Sequence, residues 1–329
     1  MAAETFDLAG GGDVTAAAPG SVVRRLVRFA ATADGAPQYF PLIVVAGTDP
    51  GPTAVFIGGI HGDEYEGPLA LWQLADALDP KALAGRVLIV PIANGQAFAA
   101  GSRTSPVDND NLARIFPGRP DGTLSHRLAD ALMRHVVEKA DFLVDSHSGG
   151  VRLAFVPVAG FYACDGITPE TAERSLVLAK AMGLAFLWQL PPVQGVLSYE
   201  AAKRGIPVCG AEIGGRGNGR PEDAANYLGA YLSVLAHREM IAASHRRPFT
   251  KACLEGDWQT TSDGGLLETL VDIGDPVREG DLVARLRDVL GTIIHCFHAP
   301  FDGRVMAVRH LNSVQPGDLA TCVVRETAR

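Results

Sequence analysis

The chain reads as an α/β protein, a largely parallel sheet with helices on both faces, followed by a small all-β C-terminal module. Three observations predict it. Short apolar runs such as Ala54–Ile57, Val87–Val90 and Phe142–Val144 suit strands buried on both faces. Segments with helical spacing separate them, and strands alternating with helices favour parallel pairing. After about residue 250 the helical periodicity stops and short strands alternate with Gly-Asp turns, at Gly274-Asp275, Gly280-Asp281 and Gly317-Asp318.

Taken in order, residues 1–20 are rich in Ala and Gly and read as a loose arm. Val22 to Ala46 alternates apolar and polar residues, as in antiparallel strands at a sheet edge. A turn is expected at Thr48–Pro52, then a buried strand to Gly59. Gly67–Leu78 has helical spacing with Leu69, Leu71, Trp72, Leu74 and Leu78 toward one side. Val87–Pro91 is the next strand, Leu124–Lys139 an amphipathic helix and Asp141–Asp145 a third strand. A helix over Pro169–Met182, a strand over Val208–Ile213 and a helix from Pro221 to Arg246 complete the layer. Val151–Asp165 and Gly195–Tyr199 read as loops. The expected division is therefore an arm over 1–20, a catalytic domain over 21–250 and an all-β domain over 251–329.

Composition narrows the function classes. The 329 residues are 47% hydrophobic and 20% charged, which excludes wholesale disorder. A net charge of −8 argues against a nucleic-acid partner. No apolar run approaches the ~20 residues that span a bilayer, so no membrane partner is expected. Cys164, Cys209, Cys253, Cys296 and Cys322 lie singly, without CxxC spacing, as expected of reduced, inert thiols in a cytoplasmic protein.

The chemistry is concentrated in separate pieces. In Gly58-Gly59-Ile60-His61-Gly62-Asp63-Glu64, a strand runs into glycines and presents an imidazole and a carboxylate three residues apart. Zinc accepts such ligands, and catalytic sites typically use three, leaving a position open. Acids stabilising a helix N-terminus would give the same pattern. Asp145-Ser146-His147-Ser148 stands at a strand's C-terminal end, where open α/β sheets place ligands. His147 supplies a third ligand, and Asp145 could hold its other nitrogen; a plain strand-end turn is the alternative. In Val208–Gly215, Glu212 interrupts an apolar strand. A buried carboxylate is costly without a task or a partner. Glu212 suits proton transfer beside a metal-activated water, or pairing with Arg216 or Arg220. Arg103 and Arg114 lie in a turn-rich stretch suited to gripping a carboxylate or a developing oxyanion.

Together, GGIHGDE, Arg103, NLARIFPG, DSHS and AEIGG resemble, in order, the succinylglutamate desuccinylase/aspartoacylase family, over roughly residues 40–240. HGDEYEGP and FPGRPDGT resemble most its branch containing deacetylases of N-acetylated diaminobutyrate. The resemblance implies a zinc-carboxypeptidase-like fold and one Zn2+ per chain held by His61, Glu64 and His147. It further implies Glu212 as general base and acid, and Arg103 as the group polarising the scissile carbonyl. Arg114 and Asn111 would bind substrate. The family's DLNR reads Asn111-Leu112-Ala113-Arg114 here, so Ala113 replaces an Asn and one substrate hydrogen bond is lost. The implied activity is hydrolysis of a small N-acylated amino acid or related amine. A homo-oligomer is compatible with such an enzyme. A small-peptide metallocarboxypeptidase and a non-catalytic metal-dependent sensor are the alternatives, the first disfavoured by Ala113. The C-terminal module resembles a biotinyl/lipoyl domain but has no lysine between Leu282 and Ala299, so no covalently carried cofactor is expected. Trp188, Trp258 and the histidines 295, 298 and 310 read as packing or surface residues.

Overall fold

The computed structural model describes residues 3–250 and 252–327, apart from the side chains of Cys253 and Thr327. Met1, Ala2, Lys251 and the last two residues, which the domain division includes, lie outside the described residues, as does the Cys253 thiol. The chain opens with strands β1 (Glu4–Asp7), β2 (Ser21–Ala31), β3 (Pro37–Ala46), β4 (Asp49–Ile57) and β5 (Ala84–Val90). They continue with β6 (Phe142–His147), β7 (Leu153–Phe161), β8 (Phe186–Gln189) and β9 (Val208–Gly215). Helices α1 (Glu66–Ala77), α2 (Gly95–Ala100), α3 (Leu124–His135), α4 (Pro169–Ala181), α5 (Leu197–Lys203) and α6 (Pro221–His237) connect them.

The parallel strands lie side by side in the order β5-β4-β6-β9. Their side chains alternate between two cores. Phe56, Ile89 and Val144 join Leu71 and Leu74 of α1 and Tyr231 of α6. Ile57, Leu88 and Leu143 face Leu128 and Leu132 of α3 and Ala201 of α5. Helices on both faces thus cover strands that are apolar throughout.

Several boundaries differ from the sequence reading. The arm contains β1, which pairs in parallel with β2, and Val14 and Thr15 are buried; its Ala and Gly content hid that pairing. Thr48–Pro52 is not a free turn: β4 begins at Asp49 and passes through an irregularity before Thr53, where Pro50 and Pro52 cannot donate. Trp72 lies on the outer face of α1. The helix read to Lys139 leaves α geometry at Val136, and the one read to Arg246 stops at His237, before Glu239 takes a φ of 58°. Both segments read as loops carry structure, β7 and α5.

The C-terminal part contains β10 (Cys253–Thr260), β11 (Gly265–Thr269), β12 (Pro276–Val277), β13 (Leu282–Arg287), β14 (Ile293–His298), β15 (Gly303–Arg309), β16 (Ser313–Val314) and β17 (Leu319–Thr327). It is all β, and β14-β13-β11-β16 form a separate antiparallel sheet. The rest extends the large mixed sheet: β10 pairs in parallel with β8, and β15 pairs antiparallel with β7. Among the described residues, no helix is long and apolar enough to cross a membrane.

Candidate metal and substrate site

The site lies at the carboxyl ends of β4, β6 and β9, the crevice position expected of an open α/β sheet. Past Ile57, Gly59 takes a φ of 62° and the chain turns under α2. There Gly62 donates to the Ser102 carbonyl at 2.9 Å, and its Cα faces the Ala97 backbone too closely for any side chain. This turn delivers His61 and Glu64. Helix α1 follows with Pro68 in its first turn, where a missing N–H is harmless. The strand ends are clipped from below by α6: the Tyr227 hydroxyl lies 2.5 Å from the His147 carbonyl and 2.9 Å from that of Ala211, and Tyr231 donates to Ser146.

Ligand atoms of His61, Glu64 and His147 all lie within 4.8 Å of one another. The Nδ1 atoms of His61 and His147 stand 2.7 Å and 2.9 Å from the two oxygens of Glu64. Approaches this short need positive charge between nitrogen and oxygen, a proton on each imidazole or one shared cation. The far nitrogens are both backed by acceptors. His61 Nε2 is 3.2 Å from Asn111 Oδ1, and His147 Nε2 is 3.2 Å from Asp145 Oδ1. Partners of this kind fix the ring and leave Nδ1 free to ligate. Strand alternation explains the second pair, since residues 145 and 147 of β6 point to one side. Two imidazoles and one carboxylate, oriented from behind, therefore fit a metal of the zinc type.

The charges agree with that fit. Burial alone would raise the Glu64 carboxyl, but His61 and His147 overcome it and hold Glu64 ionised. Burial lowers His61 despite Glu64, while Asp145 and Glu64 hold His147 well above the usual histidine range against its own burial. Glu212 is pushed up to about 8, mainly by burial, with His147 pulling it down and Glu64 pushing it up. Its Oε2 is buried with no hydrogen-bond partner among the described residues, while the side chain still lines the cavity.

The cavity in front of these groups measures about 180 Å³. It is lined by His61, His147, Glu212, Arg103 and Arg114, and by Ala113 where the family pattern has Asn. Arg103 Nη1 is 3.3 Å from Glu64 Oε1. Among the described residues the Arg114 side chain bonds only its neighbour's carbonyl, that of Ala113, at 2.8 Å; burial and the Arg103 charge lower its pKa. Asn111 is not among the lining residues: its Oδ1 accepts from the Ala113 N–H at 3.0 Å and faces His61. The sequence reading named none of Tyr162, Trp188, Leu190, Val193, Val196 and Ser198 as pocket residues, although Tyr162, Val196 and Ser198 fall in the two segments read as loops; all six line the wall. They carry no motif, and Trp188, which the sequence reads as a packing residue, lines the cavity. A second cavity of about 200 Å³, between Phe29, Tyr39 and Leu128, holds no such constellation.

The catalytic-domain family of succinylglutamate desuccinylase and aspartoacylase matches residues 50–238. The N-alpha-acetyl-L-2,4-diaminobutyric acid deacetylase of Halomonas elongata is 35% identical over 277 residues, covering 82% of this chain and 80% of that protein. The chain belongs to the succinylglutamate desuccinylase/aspartoacylase family. Its fold matches the product-bound ectoine utilization protein EutE of Ruegeria pomeroyi with a TM-score of 0.85 and 32% identity, over 92% of this chain and 95% of that one. A succinylglutamate desuccinylase from a Silicibacter species gives 0.85 and 30%, over 93% and 95%. This member is a metal-dependent amidohydrolase of the deacylase type, with His61, Glu64 and His147 as its metal-binding triad.

Proposed function

We propose that the protein is a zinc enzyme removing the acyl group from a small N-acylated amino acid, a reading in line with the deacetylase it resembles. The observation carrying it is Glu212, whose Oε2 is buried without a hydrogen-bond partner among the described residues and which lines one cavity with His61, His147 and two arginines. Zinc bound at the triad would lower the pKa of a water and polarise the scissile carbonyl. Glu212 accepts the proton of the attacking water and returns it to the departing amine; burial, which lifts its pKa, suits it to both tasks. Arg103 keeps part of its donor fork free beyond Glu64 and offers it to the carbonyl oxygen as charge develops there. Arg114, without a carboxylate partner among the described residues, grips an anionic group of the substrate. Asn111 holds the His61 ring rather than the substrate. The α/β part is taken as zinc-carboxypeptidase-like and the β-rich part as a biotinyl/lipoyl-like module. In that module the β13–β14 hairpin ends in exposed Val289 and Leu290 rather than a lysine.

Glu212→Gln should retain stoichiometric zinc, measured by elemental analysis, and lose about 10²–10⁴-fold in kcat on N-acyl amino acids. A variant that turns over normally overturns the role of Glu212.

A further inference from the structure

We propose that the amine half of the substrate is an α-amino acid with an uncharged, apolar side chain. The inference rests on the deacylase reading and narrows it. Glu212 is the only acidic side chain among the described lining residues of the cavity. A second ammonium on the substrate would find no carboxylate there except the one that must move protons, and would lie in the field of Arg103 and Arg114.

The segment 190–196 sets what surrounds the amine half. It docks on the anion-gripping segment: the Phe116 N–H donates to the Gly195 carbonyl at 3.1 Å, and the Gly195 Cα rests directly on the Arg114 backbone. A substrate carboxylate held by Arg114 therefore shares its cavity with Val193, Val196, Leu190 and Trp188, the apolar side chains that line it beside this segment. An aliphatic side chain leaves water against these residues. A charged one loses its hydration without a partner, a cost of several kcal/mol for an isolated ion before relaxation. A second carboxylate is no better served, because Arg114 is taken by the first and Arg103 by Glu64 and the scissile carbonyl.

The test compares kcat/KM of the zinc-loaded enzyme for the N-acetyl derivatives of norvaline, leucine, 2,4-diaminobutyrate and aspartate. Calorimetric binding of the free product amino acids is measured in parallel. The expected result is about a 10²-fold preference for norvaline or leucine over both charged substrates, with product affinities in the same order. Val193→Asp, at a half-exposed position, should raise the diaminobutyrate-to-norvaline ratio at least about tenfold, whereas mere loosening of the wall would depress both. Preference for diaminobutyrate or aspartate overturns the side-chain assignment and leaves the deacylase reading standing. Failure to hydrolyse any member, with zinc bound, overturns both.

Discussion

The glycine after His61 offers the sharpest test of how the turn builds the metal site. A methyl group at Gly62 would lie 1.9 Å from the Ala97 carbonyl carbon, 2.1 Å from its oxygen and 2.2 Å from the Phe98 nitrogen. These are backbone atoms, and ordinary contact begins near 3.4 Å, so turn and helix must part by roughly 1.5 Å. Helix α2 cannot yield easily: Asn94 caps its start by accepting from Ala97 N–H, and Gly101 closes its end in the left-handed conformation. The displacement therefore falls on the segment carrying His61 and Glu64, whose ligand atoms must stay within 4.8 Å of those of His147. Overpacking of this kind costs about 3 kcal/mol. At roughly 2–4 °C per kcal/mol for a chain of this size, Gly62→Ala should lower Tm by about 6–12 °C. Zinc affinity, read by competition with a chromogenic chelator, should fall more than about tenfold. Gly10→Ala, where an added methyl meets nothing within 4 Å, is the control. A Gly62→Ala protein with parental Tm and zinc affinity would refute the reasoning.

Three further outcomes are expected. Asp145→Asn removes the charge behind His147 Nε2 and should weaken zinc binding by about 10–100-fold in the same competition assay. Asp108 accepts from the Ser125 N–H and hydroxyl at 2.8 and 2.9 Å, at the start of α3. Burial opposes its ionisation, but these bonds win and lower its pKa, so its contribution exists above the unfolded value and is lost as pH falls through the folded one. Asp108→Ala should thus cost about 1 kcal/mol at pH 7 in urea unfolding, with the gap closing below about pH 4. Trp258 of β10 packs its ring 5.2 Å from that of Trp188, which lines the cavity. Trp258→Ala should raise KM several-fold while changing kcat little; an unchanged KM would mean that the C-terminal part does not support that wall.

What the sequence made legible, and what it did not, follows from how each group is specified. His147 and Glu212 stand out because each is a polar residue ending or interrupting an apolar strand, a costly placement that periodicity exposes. His61 and Glu64 stand out because a buried strand runs through glycines into an imidazole and a carboxylate three residues apart. The wall over 188–198 does not stand out, because apolar residues facing a cavity look the same in sequence as apolar residues facing a core. Likewise β7 reads as a loop because of its Pro157 and Gly160, whereas pairing with β9 and β15 holds it extended. Asn111 carries the family's motif position, yet its partner is His61, which only the fold brings near.

Convergence of the distant pieces needs more than their presence. His61 follows one parallel strand, His147 ends a second and Glu212 lies within a third, and three such strands could be separated by others. Here β6 lies between β4 and β9, with Ile57 opposite Asp145 and His147 opposite Glu212. The cross-strand partner of His147 is thus the proposed proton carrier itself, and the three residues between Ile57 and His61 bring the remaining ligands back toward β6. A one-residue slip of β9 against β6 would turn Glu212 to the opposite face of the sheet. The tyrosine clip from α6, which bonds the carbonyls of His147 and Ala211 with a single hydroxyl, holds that register where the sheet opens to the cavity. The geometry of the site is therefore a property of strand register, maintained by α6 from behind the strands that carry His147 and Glu212.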